Sequence, residues 1–374
     1  MRALQVSKFY PPVMGGIESV AWELTEGLNR LGVPTSVLCS SHRWRSVHQV
    51  ASGGYAVVRA GTVGSLLSTS LAPPMPHLLR RMARTADVVH LHMPDPMAAA
   101  SFWVARPRAA LVVHWHSDVV RQRRALRAYE PLQRWLLRRA DAIVATSAAY
   151  ADASGPLAPW RGKVHVIPIG ISDNRSTACS VKARALRERH GGRRIVFALG
   201  RMTYYKGFDV LIDAASALTD DCVVLIGGEG ELLPELRARV AARGLSDKVR
   251  LLGHVKDADL SSHFEACDIF CMPSTVRAEA YGVAMLEAML MGKPIVATDI
   301  AGSGVPWVNL HGRTGLNVPV REPATLTAAL HELLADDALR ARLGAAARQR
   351  YEQEFRAELM TQRMVDLYRG LARA

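Results

Sequence analysis

Hydrophobic positions along the chain come in short, nearly continuous runs, separated by turn-forming loops and by longer stretches of helical period. The first run, "RALQVSKFY", leads through "PPVMGGIES" into a helical pattern from Val20 to Leu31, closed by Gly32 before a second run, "PTSVLCSS". Similar runs recur as "DVVHLHM", "ALVVHWHS", "DAIVATS" and "KVHVIPIG". Their continuous apolar character predicts parallel strands covered by helices on both faces. Near "IPIGISDNRS" the pattern pauses, and a polar, basic stretch runs to Arg194. A second series follows, "RIVFALG", "CVVLIGG", "VRLLGHV", "DIFCMPS", "PIVATDI" and "GLNVPV", again alternating with helical segments. Two alternating series of about 170–190 residues predict an α/β protein of two doubly wound domains with a cleft between them. The end, from Asp336 to Ala374, reads as helical throughout.

Composition narrows the class without changing this picture. The 374 residues are 49% hydrophobic and 22% charged, as in a soluble globular protein, and suffice for two cores. The five cysteines lack CxxC spacing and mostly lie in or beside apolar runs, which suits reduced core thiols in a cytosolic protein. No signal peptide precedes the first strand, and no apolar run approaches the roughly 20 residues that span a bilayer. The net charge of +13 is uneven: residues 1–170 hold 20 Lys+Arg against 9 Asp+Glu, and residues 171–374 hold 27 against 25. The halves therefore face different partners, or one faces an anionic surface. Without a zinc module, an RNA-binding aromatic signature or a basic tail, nucleic acid is not the expected partner. The basic excess centres on "RQRRALRAYEPLQRWLLRRAD". There Arg123, Arg127, Arg134 and Arg138 share one helical stripe, and Leu126, Tyr129, Leu132 and Leu136 supply an apolar side, with Pro131 placed to kink it.

Ligands of doubly wound sheets bind beyond the carboxyl ends of the strands, so candidate chemistry belongs there. After the first strand, Gly15 and Gly16 stand just before a helix, where the backbone can approach a ligand and free amides favour an anion. The GxGxxG spacing of a dehydrogenase is absent. At the end of "ALVVHWHSD", alternation sends His114 and His116 to one face and Trp115 to the other. No carboxylate or cysteine completes a ligand set there, so no metal is expected. His116 is either a polar contact to substrate or a satisfied histidine at a domain seam. In "LGRMTYYKGFDVL", Arg201 and Lys206 flank a turn and Gly207 and Phe208 open a helix, a combination suited to a diphosphate. The glycine turn "LIGGEGELL" lacks a third fingerprint glycine and says little alone. In "EAYGVAMLEAMLMG", a helix starting near Gly282 leaves Glu279 in the preceding loop and carries Glu287 about a turn and a half inside. Glu287 would share its face with Val283, Ala284, Leu290 and Met291, where a carboxylate is desolvated unless it faces a polar cleft. Carboxylates accept hydrogen bonds from sugar hydroxyls, so the set describes a nucleotide-sugar site.

With these residues the chain resembles, over essentially its whole length, the family 4 glycosyltransferases, retaining enzymes of the GT-B fold. The most specific element is E-x7-E, Glu279 to Glu287, supported in order by "MGGIES", "VHWHSD", "LGRMTYYKG", "LIGGEGEL" and "HGRTGLNV". The resemblance implies two Rossmann-like domains, residues 1–170 for the acceptor and 171–355 for the nucleotide-sugar, with a helix in 356–374 crossing back. It implies that Glu287 binds the ribose and Glu279 the transferred sugar, while Arg201 and Lys206 hold the diphosphate. Gly16 would approach that diphosphate, and the amides of Gly282, Val283 and Ala284 would meet the sugar or the phosphate. His116 would lie beside the sugar near the reacting carbon, and the Val255 backbone would touch the base. No cofactor or metal is implied. Trp307 stands where the family usually has Glu, and Ile169 where Asn is frequent. "GSGVPWVNLHG" is similar to a branch building bacterial O-antigen and exopolysaccharide, often mannosyl- or rhamnosyltransferases. The expected activity is transfer of a hexose, preferably mannose from GDP-mannose, to a lipid-linked or oligosaccharide acceptor at an anionic membrane surface. A nucleotide-sugar 2-epimerase of the same fold and a non-catalytic nucleotide-sugar-binding protein are the alternatives.

Overall fold

A computed structural model describes residues 1–13, 15–67, 69–119, 123–173 and 177–372, with backbone alone for 123–126, 177, 178 and 372. Two compact units result: Met1–Ser172 together with Ala357–Ala374, and Asp173–Arg356. The strands of the first unit are β1 (Ala3–Ser7), β2 (Thr35–Ser40), β3 (Val47–Val50), β4 (Ala56–Ala60), a separate hairpin of β5 (Gly64–Leu66) and β6 (Thr69–Leu71), β7 (Val88–Met93), β8 (Ala110–Trp115), β9 (Ala142–Ala145) and β10 (Val164–Val166). Its main sheet has the order β10-β9-β8-β7-β1-β2-β4-β3, parallel except for β3 against β4. The second unit has β11 (Arg194–Leu199), β12 (Cys222–Gly227), β13 (Val249–Gly253), β14 (Ile269–Met272), β15 (Ile295–Thr298) and β16 (Gly315–Val318), all parallel in the order β13-β12-β11-β14-β15-β16.

Helices α1 (Gly16–Arg30), α2 (Met75–Met82), α3 (Pro96–Ala105), α4 (Arg123–Arg139) and α5 (Ala148–Ala153) belong to the first unit, and α6 (Thr177–Arg189), α7 (Phe208–Ala215), α8 (Leu233–Ala242), α9 (Asp257–Ala266), α10 (Val283–Leu290), α11 (Val305–Val308), α12 (Pro323–Ala335) and α13 (Asp337–Glu354) to the second. The last helix, α14 (Ala357–Ala372), packs on α1 in the first unit. Gly27 makes room for it: a Cβ there would come 2.2 Å from Thr361 Oγ1.

Two expectations need correction, and one strand lies outside the expected pattern. Helix α1 begins at Gly16, four residues before the apolar period starts, because Gly15 caps it in extended conformation and Glu18 supplies an acidic first turn. The C-terminal stretch is not helical throughout: α13 stops at Glu354, and Phe355 turns inward, fully buried. The polar edge strand β3, largely exposed, lacks the continuous apolar run by which the other strands were read.

The order of each sheet reverses beside one strand, between β1 and β7 in the first unit and between β11 and β14 in the second. A crevice opens at such a point, flanked by loops that leave in opposite directions. Among the described residues no helix is long and apolar enough to cross a membrane.

Candidate functional site

At the switch point of the second unit, the loop from Gly200 to Gly207 follows β11 and the loop from Pro273 to Gly282 follows β14. They are in close contact. A Cβ on Gly207, whose φ is 65°, would lie 2.0 Å from the Pro273 carbonyl oxygen, and the Thr275 amide donates to the Tyr205 carbonyl at 2.8 Å. This approach brings Lys206 to Glu279: Nζ donates to Oε2 at 2.6 Å, with the side chains 13% and 10% exposed. Ser274 Oγ donates to the same carboxylate oxygen at 3.0 Å. The loop is tied from behind, where Ser303 Oγ donates to the Glu279 carbonyl at 2.5 Å and the Gly304 amide donates to the Ala280 carbonyl at 2.8 Å. Burial works against the Lys206 ammonium, but the charges of Glu279 and Tyr205 outweigh it and raise its pKa, so the lysine stays a cation. The sequence assigned these two residues to different parts of a ligand; here they form one ion pair.

Arg201 is exposed and forms no hydrogen bond or ion pair among the described residues. Helix α10 is capped by Gly282 in the left-handed region, φ 85°. Its Met285, Leu286, Ala288, Met289 and Leu290 are buried, whereas Val283, Ala284 and Glu287 are only partly covered. Glu287 therefore lies on the open side of a helix whose other sides are core, which resolves the presence of a carboxylate in an apolar helix. Val255 is half-buried over the end of β12, where a Cβ on Gly227 would meet its Cγ2 at 2.8 Å. The uninformative glycine turn acquires a role: a Cβ on Gly228 would lie 1.9 Å from the Gly200 carbonyl oxygen, and one on Gly230 2.4 Å from that of Met202. These glycines let two strand-end loops abut, and the Met202 amide donates to the Glu229 carbonyl at 2.8 Å.

Trp307 packs against Phe355 at 5.6 Å and Tyr281 at 6.2 Å, with the Arg350 guanidinium 5.1 Å from its ring. It stands behind Gly282 as part of an aromatic wedge. Ile169, the other departure, is buried in the first unit. An open depression of about 650 Å³ lined by Arg189, Arg193, Arg237 and Arg250 contains none of the site residues; Arg193 and Val249 place it toward the starts of β11 and β13.

In the first unit, Gly15 caps α1 and Gly16 is its first residue, with no described residue within 4 Å of a Cβ on Gly16. The Glu18 carboxylate folds back to this helix start: its Oε2 would be 2.6 Å from a Cβ on Gly15. Burial raises the Glu18 pKa, partly offset by a hydrogen bond from its own backbone. A carboxylate thus already occupies the end where the sequence suggested an anion. His116 follows β8, buried, with Nε2 2.9 Å from Nδ1 of His92. Trp115 points the other way, as the alternation requires, and donates from Nε1 to Asp118 at 2.8 Å. The residues linked to it by hydrogen bonds, His92 and through it Gln5 and Tyr368, escaped the sequence reading, although "HLH" beside "HWH" was a signal available in adjacent parallel strands.

The family sequence model described as Glycosyltransferase Family 4 matches residues 14–175, and that described as Glycosyl transferases group 1 matches residues 182–350. D-rhamnosyltransferase WbpZ of Pseudomonas aeruginosa is 37% identical over 96% of this chain and 93% of its own. This chain belongs to glycosyltransferase family 4. The O-antigen chain mannosyltransferase C of Escherichia coli is 32% identical over 99% of both chains. Among solved structures, sucrose-phosphate synthase from Thermosynechococcus elongatus superposes with a TM-score of 0.80 at 20% identity over 99% of both chains. Anabaena HepE in complex with UDP-glucose also gives 0.80, at 21% identity, over 99% of this chain and 100% of that one. The α/β architecture with two doubly wound sheets is the GT-B fold, and the protein is a glycosyltransferase.

Proposed function

We propose that this family 4 glycosyltransferase moves a hexose, mannose from GDP-mannose as the leading candidate, to a hydroxyl of a lipid-linked glycan in bacterial surface polysaccharide synthesis, with retention and without a metal. The observation that carries the reading is the Lys206–Glu279 pair at the second unit's switch point, joining the loop that holds exposed Arg201 to the loop that leads into α10. The similarity to a D-rhamnosyltransferase and to an O-antigen mannosyltransferase supports the sugar class and the acceptor class.

In this reading the second unit binds the donor and the first the acceptor. Glu287 takes the ribose hydroxyls, Glu279 a hydroxyl of the hexose, and the Val255 backbone the base. Arg201 and Lys206 take the diphosphate, and the amides of Gly282, Val283 and Ala284 meet the sugar or the phosphate. Two cations beside a helix start can neutralise a leaving diphosphate without a metal ion. As the bond from the anomeric carbon to the phosphate oxygen breaks, its electron pair leaves with the nucleoside diphosphate. The acceptor hydroxyl attacks from the same face, and its proton passes to the departing phosphate oxygen. Retention follows from that geometry without a covalent enzyme nucleophile.

The test is product analysis with a polyprenyl-diphosphate oligosaccharide acceptor and a panel of GDP-, UDP- and dTDP-sugars, with and without EDTA. The expected result is mannose transfer from GDP-mannose, an α-linkage by NMR, and activity unchanged by EDTA. A β-linked product excludes retention, and full loss in EDTA restored by manganese excludes the metal-free route.

A further inference from the structure

The depression toward the starts of β11 and β13 lies wholly in the second unit and shares no residue with the donor site. Four consecutive residues of β13, Val249, Arg250, Leu251 and Leu252, line it. Side chains alternate between the faces of a strand, so a hollow that touches all four runs along the strand's edge. That edge is open, because β13 is the last strand in the order of its sheet, with β12 on its inner side. Arg189 at the end of α6, Arg237 of α8 and His263 of α9 border the same hollow.

The backbone of this edge has groups to offer. The Val224 amide of β12 donates to the Lys248 carbonyl at 2.8 Å. Alternate residues of a parallel ladder bond to the same side, so Lys248 and Arg250 turn inward, and Val249 and Leu251 outward. The Val249 amide donates to the Leu245 carbonyl at 2.8 Å. The Val249 carbonyl and the amide and carbonyl of Leu251 then stand along the open edge as acceptor, donor and acceptor.

The charge around the edge is of one sign. The lining holds four arginines, two histidines and no carboxylate, whereas residues 171–374 as a whole hold 27 Lys+Arg against 25 Asp+Glu. Arg189 and Arg237 are exposed and form no hydrogen bond or ion pair with a described residue. Arg250 lies 3.6 Å from Asp247, whose side chain is fully exposed, so that pair offsets little. The cations converge: burial lowers the pKa of His190, and the charges of Arg193, Arg189, Arg250 and His263 lower it further. Charge on an edge strand keeps unwanted edges away, and here it repels a second copy of this one. A strand of opposite charge is the one it admits. Half-buried Leu251 and Leu252 add apolar surface for which a bare anion has no use.

We propose that the edge of β13 is a docking site for an extended acidic segment of a partner protein, which adds a strand to the second unit's sheet. The backbone of that segment pairs with Val249 and Leu251, its carboxylates meet Arg189, Arg237 and Arg250, and its apolar side chains cover Leu251 and Leu252.

The probe is a blocked heptapeptide alternating glutamate and valine, titrated into the full chain by calorimetry at low salt, with amide hydrogen exchange read at Leu251. The peptide should bind and slow Leu251 exchange about tenfold or more. Its ester analogue, in which oxygen replaces each backbone N–H, should bind about tenfold more weakly. The double variant Arg189→Glu, Arg237→Glu should lose as much, with thermal unfolding unchanged because both side chains are exposed. Arg201→Met and added GDP should leave peptide binding as it is. No binding at low salt, equal binding of the ester analogue, or loss of binding in Arg201→Met or with GDP would overturn the assignment. So would phosphatidylglycerol vesicles or inorganic phosphate that bind where the peptide does not and are lost in the double variant.

Discussion

Lys206 Nζ and Glu279 Oε2 stand 2.6 Å apart, so the cation at one strand end and the carboxylate at the next neutralise each other before any ligand arrives. An arriving diphosphate must share Lys206 with Glu279, whereas Arg201 is already open to solvent. Stability and catalysis should therefore separate at these two cations. Lys206→Met leaves a carboxylate nearly buried without its partner and should cost about 3 kcal/mol in urea unfolding. Arg201→Met should stay within about 0.5 kcal/mol of the parent. Both should lose on the order of 10²-fold in turnover as charge-stabilising donors. Equal destabilisation by the two substitutions would contradict the ion pair.

The two glutamates should also separate. Glu279 is tied by Lys206, Ser274 and the backbone of its own loop, and Glu287 lies on the open side of α10. Glu279→Gln should reduce kcat while donor affinity, measured by calorimetry, is retained. Glu287→Gln should weaken donor affinity by about tenfold, the worth of a hydrogen bond to a charged group. The reverse pattern would exchange their assignments.

Much of this was legible in the chain because each domain repeats one signal. Continuous apolar runs such as "RIVFALG" and "CVVLIGG" marked buried parallel strands, and strand ends then located Arg201, Lys206 and Glu279. What the sequence left hidden was contact between segments distant in the chain. Nothing local to "YYKG" and "RAEAYG" says that Lys206 and Glu279, 73 residues apart, form a pair. Gln5, His92 and Tyr368 come from three elements up to 363 residues apart, so no local window holds them. The polar, exposed β3 was missed because it lacks an apolar run, and Gly228 seemed uninformative because its partner is the backbone of another loop.

That backbone contact gives a third expectation. A Cβ on Gly228 would lie 1.9 Å from the Gly200 carbonyl oxygen, and its φ is 131°. Gly244 has a φ of 65° with no described residue within 4 Å of a Cβ there. Gly244→Ala should cost about 1 kcal/mol from backbone strain alone. Gly228→Ala should cost roughly 3 kcal/mol or more by forcing the loops apart, and should impair transfer by shifting Arg201. Thermal unfolding of the two variants side by side reads the difference.

The buried histidines His90, His92, His114 and His116 predict acid sensitivity. With pKa values lowered by burial, they bind fewer protons in the folded state than in the unfolded state below pH 6.5. Stability therefore rises with pH across this window and falls as pH drops below 6.5, towards about 3 for His116. Each such group contributes roughly 1.4 kcal/mol per pH unit. Unfolding free energies measured between pH 7 and pH 5 should fall steeply, and His114→Asn should flatten the slope. A pH-independent free energy over that range would mean the cluster is already protonated or solvated.

The last expectation concerns the arginine stripe of α4 and the membrane. The helix is continuous over Arg123–Arg139 with Pro131 inside it, and the side chains of Arg123 and Leu126 lie outside the described residues. Its apolar side is not free to enter lipid: Leu136 and Leu137 are fully buried, and Trp135 packs toward Phe102 of α3 at 6.4 Å. Arg127, Arg134 and Arg138 remain exposed, with Arg134 held at 2.7 Å to Glu130. Any hold on a membrane is then electrostatic, worth about 1 kcal/mol for each basic residue near the surface and screened within a Debye length. Exposed Arg134 is partly cancelled by its glutamate, so Arg127→Glu and Arg138→Glu should weaken binding more than Arg134→Glu, and Glu130→Gln should strengthen it. Co-sedimentation with phosphatidylglycerol vesicles should show binding at about 20 mM salt that is lost by about 300 mM, with no binding to neutral phosphatidylcholine. Binding that survives high salt would require an apolar contact that the packed side of α4 cannot supply. Absence of binding at low salt would make the stripe an ordinary solvated face.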